Sequence, residues 1–341
     1  MAMVYNVNDT ATQVLAAKQV KENIFVDLVH KNGYGVTQHE ETNVSTLRIM
    51  KVLPFTDDAR QLGEATNGAW FNGGEIGTPE VVEYDLNLLY LYDKPVDIPE
   101  VQQDMVSVNL MDNATKNIGG RAATEINAST TAAQLTAAYN AAKTAGKWDG
   151  IASVVGSDKD VYAAVQKAST MLDDGDEANG VQSFPFAERE IIMRPSFRSA
   201  LLSAKGVLLG GSNYAQSMLA KGAVSPEARK EWGNMYCGEI DGIPCYISPA
   251  AIWKRAGEWA GKADAFDATE AIVCAASATD RGISTQDYIK IIDSPNGAGK
   301  RLQPKTRWGI NVCYAKGIVP IVKNGTAAPS SDLTVKAVGS R

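Results

Sequence analysis

Histidine is almost absent from this chain of 341 residues, which contains only His30 and His39. This scarcity disfavours histidine-based metal sites and most acid–base chemistry that depends on an imidazole. Both histidines fall in an N-terminal segment in which we expect no rigid scaffold to hold a catalytic triad. The sequence also lacks a G-x-S-x-G nucleophile elbow, and spacing singles out none of its 39 acidic residues as a general acid or base. The sequence therefore predicts no catalytic, cofactor-binding or metal-binding residue.

Long apolar runs are missing as well. No stretch approaches the roughly 20 apolar residues that are needed to span a bilayer, and the first ten residues are too polar for a secretory signal. The 33 basic and 39 acidic residues give a formal net charge of −6, which disfavours nucleic-acid binding as the main activity. Hydrophobic residues make up 45% and charged residues 21%, so the composition predicts an ordinary folded protein.

The four cysteines show no CxxC spacing, which argues against zinc and thioredoxin chemistry. Asp241-Gly242 is typical of a two-residue hairpin turn. In the register set by this turn, Cys237 faces Tyr246 and Cys245 faces Gly238. Since side chains alternate between the two faces of a strand, the two thiols are predicted to point to opposite sides of the hairpin. We therefore expect no disulfide between them, and a reducing cytoplasm as the compartment.

Two segments resemble ligand-binding loops but miss required positions. Asn296–Lys300 has the Gly-Lys pair of a phosphate-binding loop, yet Ser294 stands where the motif needs glycine and Arg301 where it needs Ser or Thr. We interpret it as a glycine-rich surface loop. Asp173–Glu177 resembles a calcium loop, but residues 178 and 179 break the ligand pattern, so a solvated turn is the better interpretation. A weak divalent-cation site at this turn stays open as an alternative.

A long glycine-rich segment separates two predicted strands in the N-terminal part, after 43 polar and loosely patterned residues that indicate an arm. Val44–Leu53 and Val82–Leu88 show strand patterns, and the second alternates apolar with polar residues. Between them, Pro54–Glu80 is rich in glycine but carries Trp70 and Phe71. Exposed aromatic residues favour contact with another surface, so we predict an extended hairpin that docks on a neighbouring subunit. A floppy surface loop is the alternative.

The segment after this hairpin has the pattern of a long helix. Asp97-Ile98-Pro99-Glu100 is typical of a helix start, with Asp as the N-cap and Glu completing a capping box. An apolar stripe at steps of three and four then runs from Val101 to Ile126. We predict a beam-like helix of about 39 Å, which Gly119-Gly120 bends or breaks, followed by an alanine-rich helix over Thr131–Ala145.

Helices and strands are intermixed in the rest of the chain without a regular βαβ rhythm, which favours the α+β class. The predicted strands are Ile151–Val155, Glu188–Arg194, Ala271–Ala275 and Ile283–Ile292, and the predicted helices run from Ser157 or Asp158 to Leu172, over Phe197–Lys205 and from Ser225. Arg307–Lys323 is predicted to form a final hairpin, and residues 326–341 a loose tail.

Three motifs follow one another along the chain. Glu190–Phe197 is a strand that ends in Arg-Pro-Ser-Phe and leads into a helix, Gly238–Ser248 contains the hairpin Ile-Asp-Gly-Ile-Pro, and Trp308–Val319 supplies strands near the C-terminus. Together with the arm, the glycine-rich hairpin and the beam helix, this order resembles the major capsid (coat) proteins of tailed bacteriophages, which share the Johnson fold. The resemblance covers residues from about 40 to 325.

The resemblance implies an α+β capsid (Johnson) fold with distinct parts. These are an N-terminal arm (1–43), an extended hairpin loop with its strands (44–95), a peripheral domain with a long spine helix (96–145), an axial domain (146–305), returning strands of the peripheral domain (306–325) and a tail (326–341). We expect the subunit-interface residues of the extended loop to be Arg60, Trp70, Phe71 and Glu75.

The resemblance implies a major capsid protein that self-assembles into hexamers and pentamers, which form an icosahedral shell around packaged double-stranded DNA. Its expected location is the virion capsid, assembled in the host cytoplasm. Expected partners are other copies of the chain, a separate scaffolding protein and a portal, with no cofactor and no membrane. Packaged DNA is expected to be contacted only weakly and non-specifically, because an acidic surface repels phosphates. The alternatives are an encapsulin-like cargo compartment, a carboxylate-dependent hydrolase or a soluble binding module.

Overall fold

The computed structural model describes residues 32–33, 36–41, 46–52, 81–92, 94–99, 110–146, 148, 152–154, 158–179, 181–203, 235–284, 289–295 and 299–335. The strands in these residues are β1 (Asn32–Gly33), β2 (Val36–Glu41), β3 (Thr46–Val52), β4 (Val81–Asn87), β5 (Tyr90–Tyr92), β6 (Val96–Pro99), β7 (Ala152–Val154), β8 (Arg189–Met193), β9 (Tyr236–Ile240), β10 (Ile243–Ile247), β11 (Thr269–Ala275), β12 (Thr279–Ser284), β13 (Ile289–Asp293), β14 (Gly299–Pro304), β15 (Thr306–Val312) and β16 (Ile318–Lys323). The helices are α1 (Leu110–Thr144), α2 (Asp158–Asp173), α3 (Pro195–Ser203) and α4 (Ala250–Trp259).

A six-stranded sheet forms the larger core, with strand order β7-β16-β11-β8-β10-β9. Helices cover both of its faces. Because side chains alternate along a strand, Ile192 and Ile272 pack in one cluster with α1 and α4, whereas Ile191 and Val273 pack in another with α2 and α3. Both faces are therefore buried, which explains why these strands read as continuous apolar runs in the sequence.

The other strands form a five-stranded sheet (β1-β2-β12-β15-β5), a three-stranded sheet (β13-β14-β6) and the ribbon, our name for the antiparallel pair β3–β4. In the five-stranded sheet, β2 lies parallel to β12, with Thr37 opposite Asp280. The Thr37 hydroxyl also donates to the carbonyl of Ala276 at 3.1 Å. Residues 36–41, which the sequence predicted as part of a loosely patterned arm, are thus a strand of this sheet.

Helix α1 joins two hydrophobic cores. Its 35 residues give a length of roughly 52 Å at a rise of about 1.5 Å per residue. Ile118 and Ile126, in its first half, pack with strands of the five-stranded and three-stranded sheets. Leu135 and Tyr139, in its second half, pack against the six-stranded sheet. One rigid element therefore fixes the smaller sheets relative to the larger core.

The predicted start of this helix is wrong, because Asp97 lies in strand β6 and not at an N-cap. β6 pairs with β14, and Arg301 there donates from Nε and from a terminal nitrogen to the two carboxylate oxygens of Asp97, at 2.5 and 2.7 Å. A tertiary ladder with a two-pronged ion pair thus overrides a capping pattern that is only local. Nor does Gly119-Gly120 break the helix, which runs on to Thr144 and merges the two predicted helices into one.

The predicted register of the β9–β10 hairpin is wrong at Cys237. Cys245 lies opposite Gly238, as predicted, but Tyr246 lies opposite Tyr236, so Cys237 is the extra residue of a β-bulge. Gly238 supports the bulge with a φ of 124°, a conformation that favours glycine. The bulge turns both thiols into the same hydrophobic cluster, where Cys237 Sγ lies 3.3 Å from the Cys245 carbonyl and both cysteines are free.

The C-terminal strands also differ from the prediction. The predicted strand Ile283–Ile292 is two strands, because β12 ends at Ser284 and β13 begins at Ile289. β15 and β16 do not form a hairpin: β15 pairs with β12 and β5, while β16 pairs with β11 and β7. The chain crosses from one sheet to the other at Ala315–Gly317, which packs against a matching crossing at Ala276–Ala278.

The segment predicted as a loose tail is held against α1 as far as residue 335. Asn140 donates to the Leu333 carbonyl at 2.8 Å and accepts from the Leu333 amide at 3.0 Å. Leu333 and Val335 pack against the cluster between α1 and the six-stranded sheet. The short helix predicted from Ser225 lies outside the described residues.

Candidate subunit interface

The ribbon is the base of the predicted extended hairpin, and its two strands pair from Thr46 opposite Asn87 to Val52 opposite Val81. This confirms the two strands that the sequence pattern indicated. The four predicted interface residues, Arg60, Trp70, Phe71 and Glu75, lie outside the described residues. The structure therefore shows how the ribbon is mounted on the rest of the described chain.

The apolar underside of the ribbon lies on two glycines of the five-stranded sheet. Leu47, Leu86 and Leu88 belong to a small buried cluster, and a Cβ atom on Gly282 would lie 2.5, 3.0 and 2.9 Å from their respective methyl carbons. A Cβ on Gly309 would overlap the carbonyl oxygen of Asn87. Glycine at both positions is what allows the ribbon to approach the sheet this closely.

A polar cluster anchors the ribbon next to this apolar contact. The Tyr84 hydroxyl donates to the carboxylate of Asp280, which is fully buried. The Cys313 thiol donates to the same carboxylate oxygen at 3.0 Å, and Tyr84 Oη lies 3.5 Å from Cys313 Sγ. Burial, together with the hydrogen bond to Asp280, holds the pKa of the Tyr84 hydroxyl well above its usual value. The phenol therefore stays protonated and acts as a donor.

The outer face of the ribbon mixes charged and apolar side chains. Arg48 lies 3.8 Å from a Glu83 carboxylate oxygen and 3.5 Å from one of Asp85, and all three side chains are more than half exposed. Such exposed ion pairs contribute little to stability. Met50 is 65% exposed on the same strand face as Arg48, and Leu89, just beyond the ribbon, is 62% exposed. This face therefore presents apolar and charged groups at the surface of the chain and contributes little to the core.

The sheet beneath the ribbon is braced against α1 and α4. The buried indole N–H of Trp308 donates to Ser129 Oγ at 2.8 Å. Tyr90 contacts Trp308, with 5.8 Å between ring centroids, and Trp259 of α4, with 5.3 Å between ring centroids. Arg255 of α4 donates from Nε to both carboxylate oxygens of Glu125 at 2.9 and 3.0 Å. These contacts make the five-stranded sheet a stiff platform for the ribbon.

Four charged residues of the two ligand-like loops form ion pairs within the chain. Lys300 lies 2.7 Å from an Asp293 oxygen, and the partner of Arg301 is Asp97. At the acidic turn, Asp173 pairs with Arg189, and Asp176 lies 2.8 Å from the ammonium of Lys316.

Neither a metal cluster nor a membrane span is found in the described part of the chain. In these residues, no three His, Cys, Asp or Glu side chains are grouped so as to hold a metal ion. Among the helices that the structure describes, none combines the length and the apolarity that crossing a bilayer requires.

Comparison with known proteins identifies the fold but no sequence relative. No family model and no curated protein sequence matches the chain. In structure, the chain is similar to the capsid of Ralstonia phage GP4, with a TM-score of 0.53, 10% identity, and coverage of 90% of this chain and 89% of that chain. It is also similar to the capsid structure of cyanophage P-SCSP1u, with a TM-score of 0.52, 11% identity, and coverage of 85% and 87%. The chain therefore has the mixed α+β fold of tailed-phage capsid proteins, which confirms the predicted fold class.

Sequence reasoning missed the residues that mount the ribbon. Tyr84, Asp280 and Cys313 come from three distant parts of the chain, and no local pattern connects them. Gly282 and Gly309 did carry a signal, because a glycine inside a predicted strand marks the close approach of another backbone or ligand.

Proposed function

We propose that this chain is a shell-forming major capsid protein, which assembles into hexamers and pentamers of an icosahedral shell around double-stranded DNA. The observation that carries the proposal is the fold shared with two phage capsid proteins over 85% or more of each chain. A role in assembly also accounts for a ribbon whose outer face is exposed and whose inner face is fixed to a braced sheet. We propose a structural rather than a catalytic role, located in the virion capsid.

The contact between subunits is proposed to run through the extended loop that the ribbon supports, with Arg60, Trp70, Phe71 and Glu75 at the interface. A closed shell needs contacts between different surfaces of neighbouring copies, related by rotation. Many such contacts of modest strength give a particle that persists. In this proposal residues 146–305 form the axial domain, and residues 96–145 form the peripheral domain together with the returning strands of residues 306–325.

The proposed partners follow from the same role. Other copies of the chain form the shell, and a separate scaffolding protein and a portal take part in its assembly in the host cytoplasm. The net charge of −6 supports only weak, non-specific contact with packaged DNA, because like charges repel.

Expression of the full chain, followed by size-exclusion chromatography and electron microscopy, tests the shell. We expect rings and closed polyhedral particles, and a stable small oligomer at every protein concentration would contradict the proposal. Nuclease treatment of particles from cells that carry the gene in its native genome tests the contents. Protected double-stranded DNA is the expected result, whereas particles that hold only protein would overturn the DNA-enclosing role.

A further inference from the structure

The apolar cluster of the ribbon is small. It contains four buried residues, Leu47, Ile49, Leu86 and Leu88, with Tyr84 packed against them. The floor beneath three of them is Gly282, which offers backbone but no side chain to interlock with the leucines. An apolar contact on such a flat floor sets the distance between ribbon and sheet, but it sets the direction of the ribbon only weakly.

Two points are needed to fix a direction, and β4 supplies them. The first is Asn87, whose carbonyl lies against Gly309. The second is Tyr84, which precedes Asn87 by three residues and so lies about 10 Å away at roughly 3.3 Å per residue. There its hydroxyl donates to Asp280.

The acceptor belongs to the platform that the ribbon crosses. Asp280 and Gly282 are two residues apart on β12 and so share one face of the sheet. Their partners on β15 are Asn311 and Gly309, and Cys313 follows Asn311 by two residues. A fully buried carboxylate needs hydrogen-bond donors to be tolerated. Tyr84 and Cys313 both donate to Asp280 Oδ2, so this carboxylate joins the ribbon to the sheet.

We propose that Tyr84, Asp280 and Cys313 form a latch that holds the ribbon in one direction on the five-stranded sheet. Tyr84 is a positioning residue, because it fixes the direction of the ribbon and with it the direction of the loop that is proposed to contact a neighbouring copy. The effect on the loop rests on the proposed function, whereas the latch itself is a property of the isolated chain.

Cys313 lets the latch be measured directly. The chain has four cysteines, and Cys237, Cys245 and Cys274 are buried at 5% exposure or less, whereas Cys313 is half-buried. A thiol reagent should therefore reach Cys313 first, and it should do so faster when Tyr84 no longer holds the ribbon against it.

The experiment compares the unassembled full-length wild type with Tyr84→Phe and with the control Tyr162→Phe. The control removes another tyrosine–aspartate hydrogen bond, Tyr162 to Asp241, away from the ribbon. Iodoacetamide labelling of Cys313 is followed by peptide mass spectrometry, and exchange of the β4 amides is followed by hydrogen–deuterium exchange. Loss of one hydrogen bond to a charged acceptor should raise the labelling rate and the exchange rate by about tenfold in Tyr84→Phe. Neither rate should change in Tyr162→Phe.

Equal labelling and equal exchange in Tyr84→Phe and wild type would overturn the latch. Asp280→Asn is the second variant, because its amide keeps the shape of the carboxylate while it weakens the hydrogen bond from Tyr84. It should also increase the rate of Cys313 labelling and the rate of β4 amide exchange. An unchanged thermal melt identifies variants that remain folded. If the wild type forms shells but Tyr84→Phe is labelled no faster than wild type, the latch is refuted and the proposed function stands. If Tyr84→Phe is labelled faster but the wild type never assembles, the latch stands and the proposed function is refuted.

Discussion

Gly282 and Gly309 lie directly opposite each other in the β12–β15 ladder, and the ribbon crosses the sheet over this pair. Neither position could carry a side chain without displacing atoms of the ribbon. The two glycines differ, however, in what they face. Gly282 faces the methyl ends of leucine side chains, which can shift, whereas Gly309 faces the backbone carbonyl of Asn87, which cannot shift without moving the strand.

Gly309→Ala is therefore expected to destabilise the chain more than Gly282→Ala. Overpacking of this kind costs about 1 to 3 kcal/mol, and we place Gly309→Ala at the upper end. Urea denaturation of the unassembled chain measures both changes in the free energy of unfolding. Gly120→Ala in α1 is the matched control, because nothing lies within 4 Å of the added methyl group. It should stabilise the chain by about 0.5 to 1 kcal/mol. A smaller cost for Gly309→Ala than for Gly282→Ala would contradict this account.

Ser129→Ala is expected to lower the free energy of unfolding by about 1 to 3 kcal/mol, because it leaves the buried Trp308 indole N–H without its acceptor. Chemical denaturation with tryptophan fluorescence measures the change. Ser199→Ala on α3 is the control: the same substitution on an exposed helix face should stay within about 0.5 kcal/mol of wild type. Equal effects of the two substitutions would show that the Trp308 hydrogen bond does not brace the sheet.

The buried thiols predict a loss of stability at alkaline pH. Burial raises the pKa of Cys237 from 9.0 to about 12. The unfolded chain therefore releases this proton near pH 9, while the folded chain retains it. The contribution of Cys237 to stability is present below pH 9 and is lost as the pH rises from 9 towards 12. Urea midpoints measured across this range should fall less steeply in Cys237→Ala than in wild type, and identical slopes would refute the prediction.

The aromatic residues of the extended loop should matter for assembly and not for folding. Replacing Trp70 and Phe71 together by alanine is expected to abolish particles in electron micrographs, while the thermal melt of the unassembled chain stays unchanged. The variant with Trp70→Phe and Phe71→Tyr retains aromatic contact area and should still assemble. Normal particles from the alanine variant would remove these two residues from the interface.

Local sequence patterns correctly predicted the helices and strands whose conformation depends mainly on their own residues. β3 and β4 alternate apolar and polar residues, because one face lies on the sheet and the other is exposed. Helix α2 and strand β8 also lie close to their predicted bounds, since each has a single strong periodicity or an apolar run between clear breaks. The class of the fold followed from the order of such elements.

The features that local patterns did not predict depend on contacts between residues far apart in the sequence. Asp97 has every local feature of a helix cap, but Arg301, which lies 204 positions away, holds it in a strand. The latch likewise joins Tyr84 to a carboxylate 196 positions away. No window of sequence contains both members of either pair, so only the folded chain brings them together.

The sheet that carries the ribbon has a consequence for the order of events in the cell. The Thr37 hydroxyl of β2 donates a hydrogen bond to the carbonyl of Ala276, 239 positions later, and β5 pairs with β15. Contacts this far apart form late, because the whole intervening chain must be present first. The five-stranded sheet can form only after the ribosome has translated most of the message. A nascent chain therefore lacks the sheet that holds the ribbon in place. Under the proposed function, assembly is thereby restricted to fully synthesised chains.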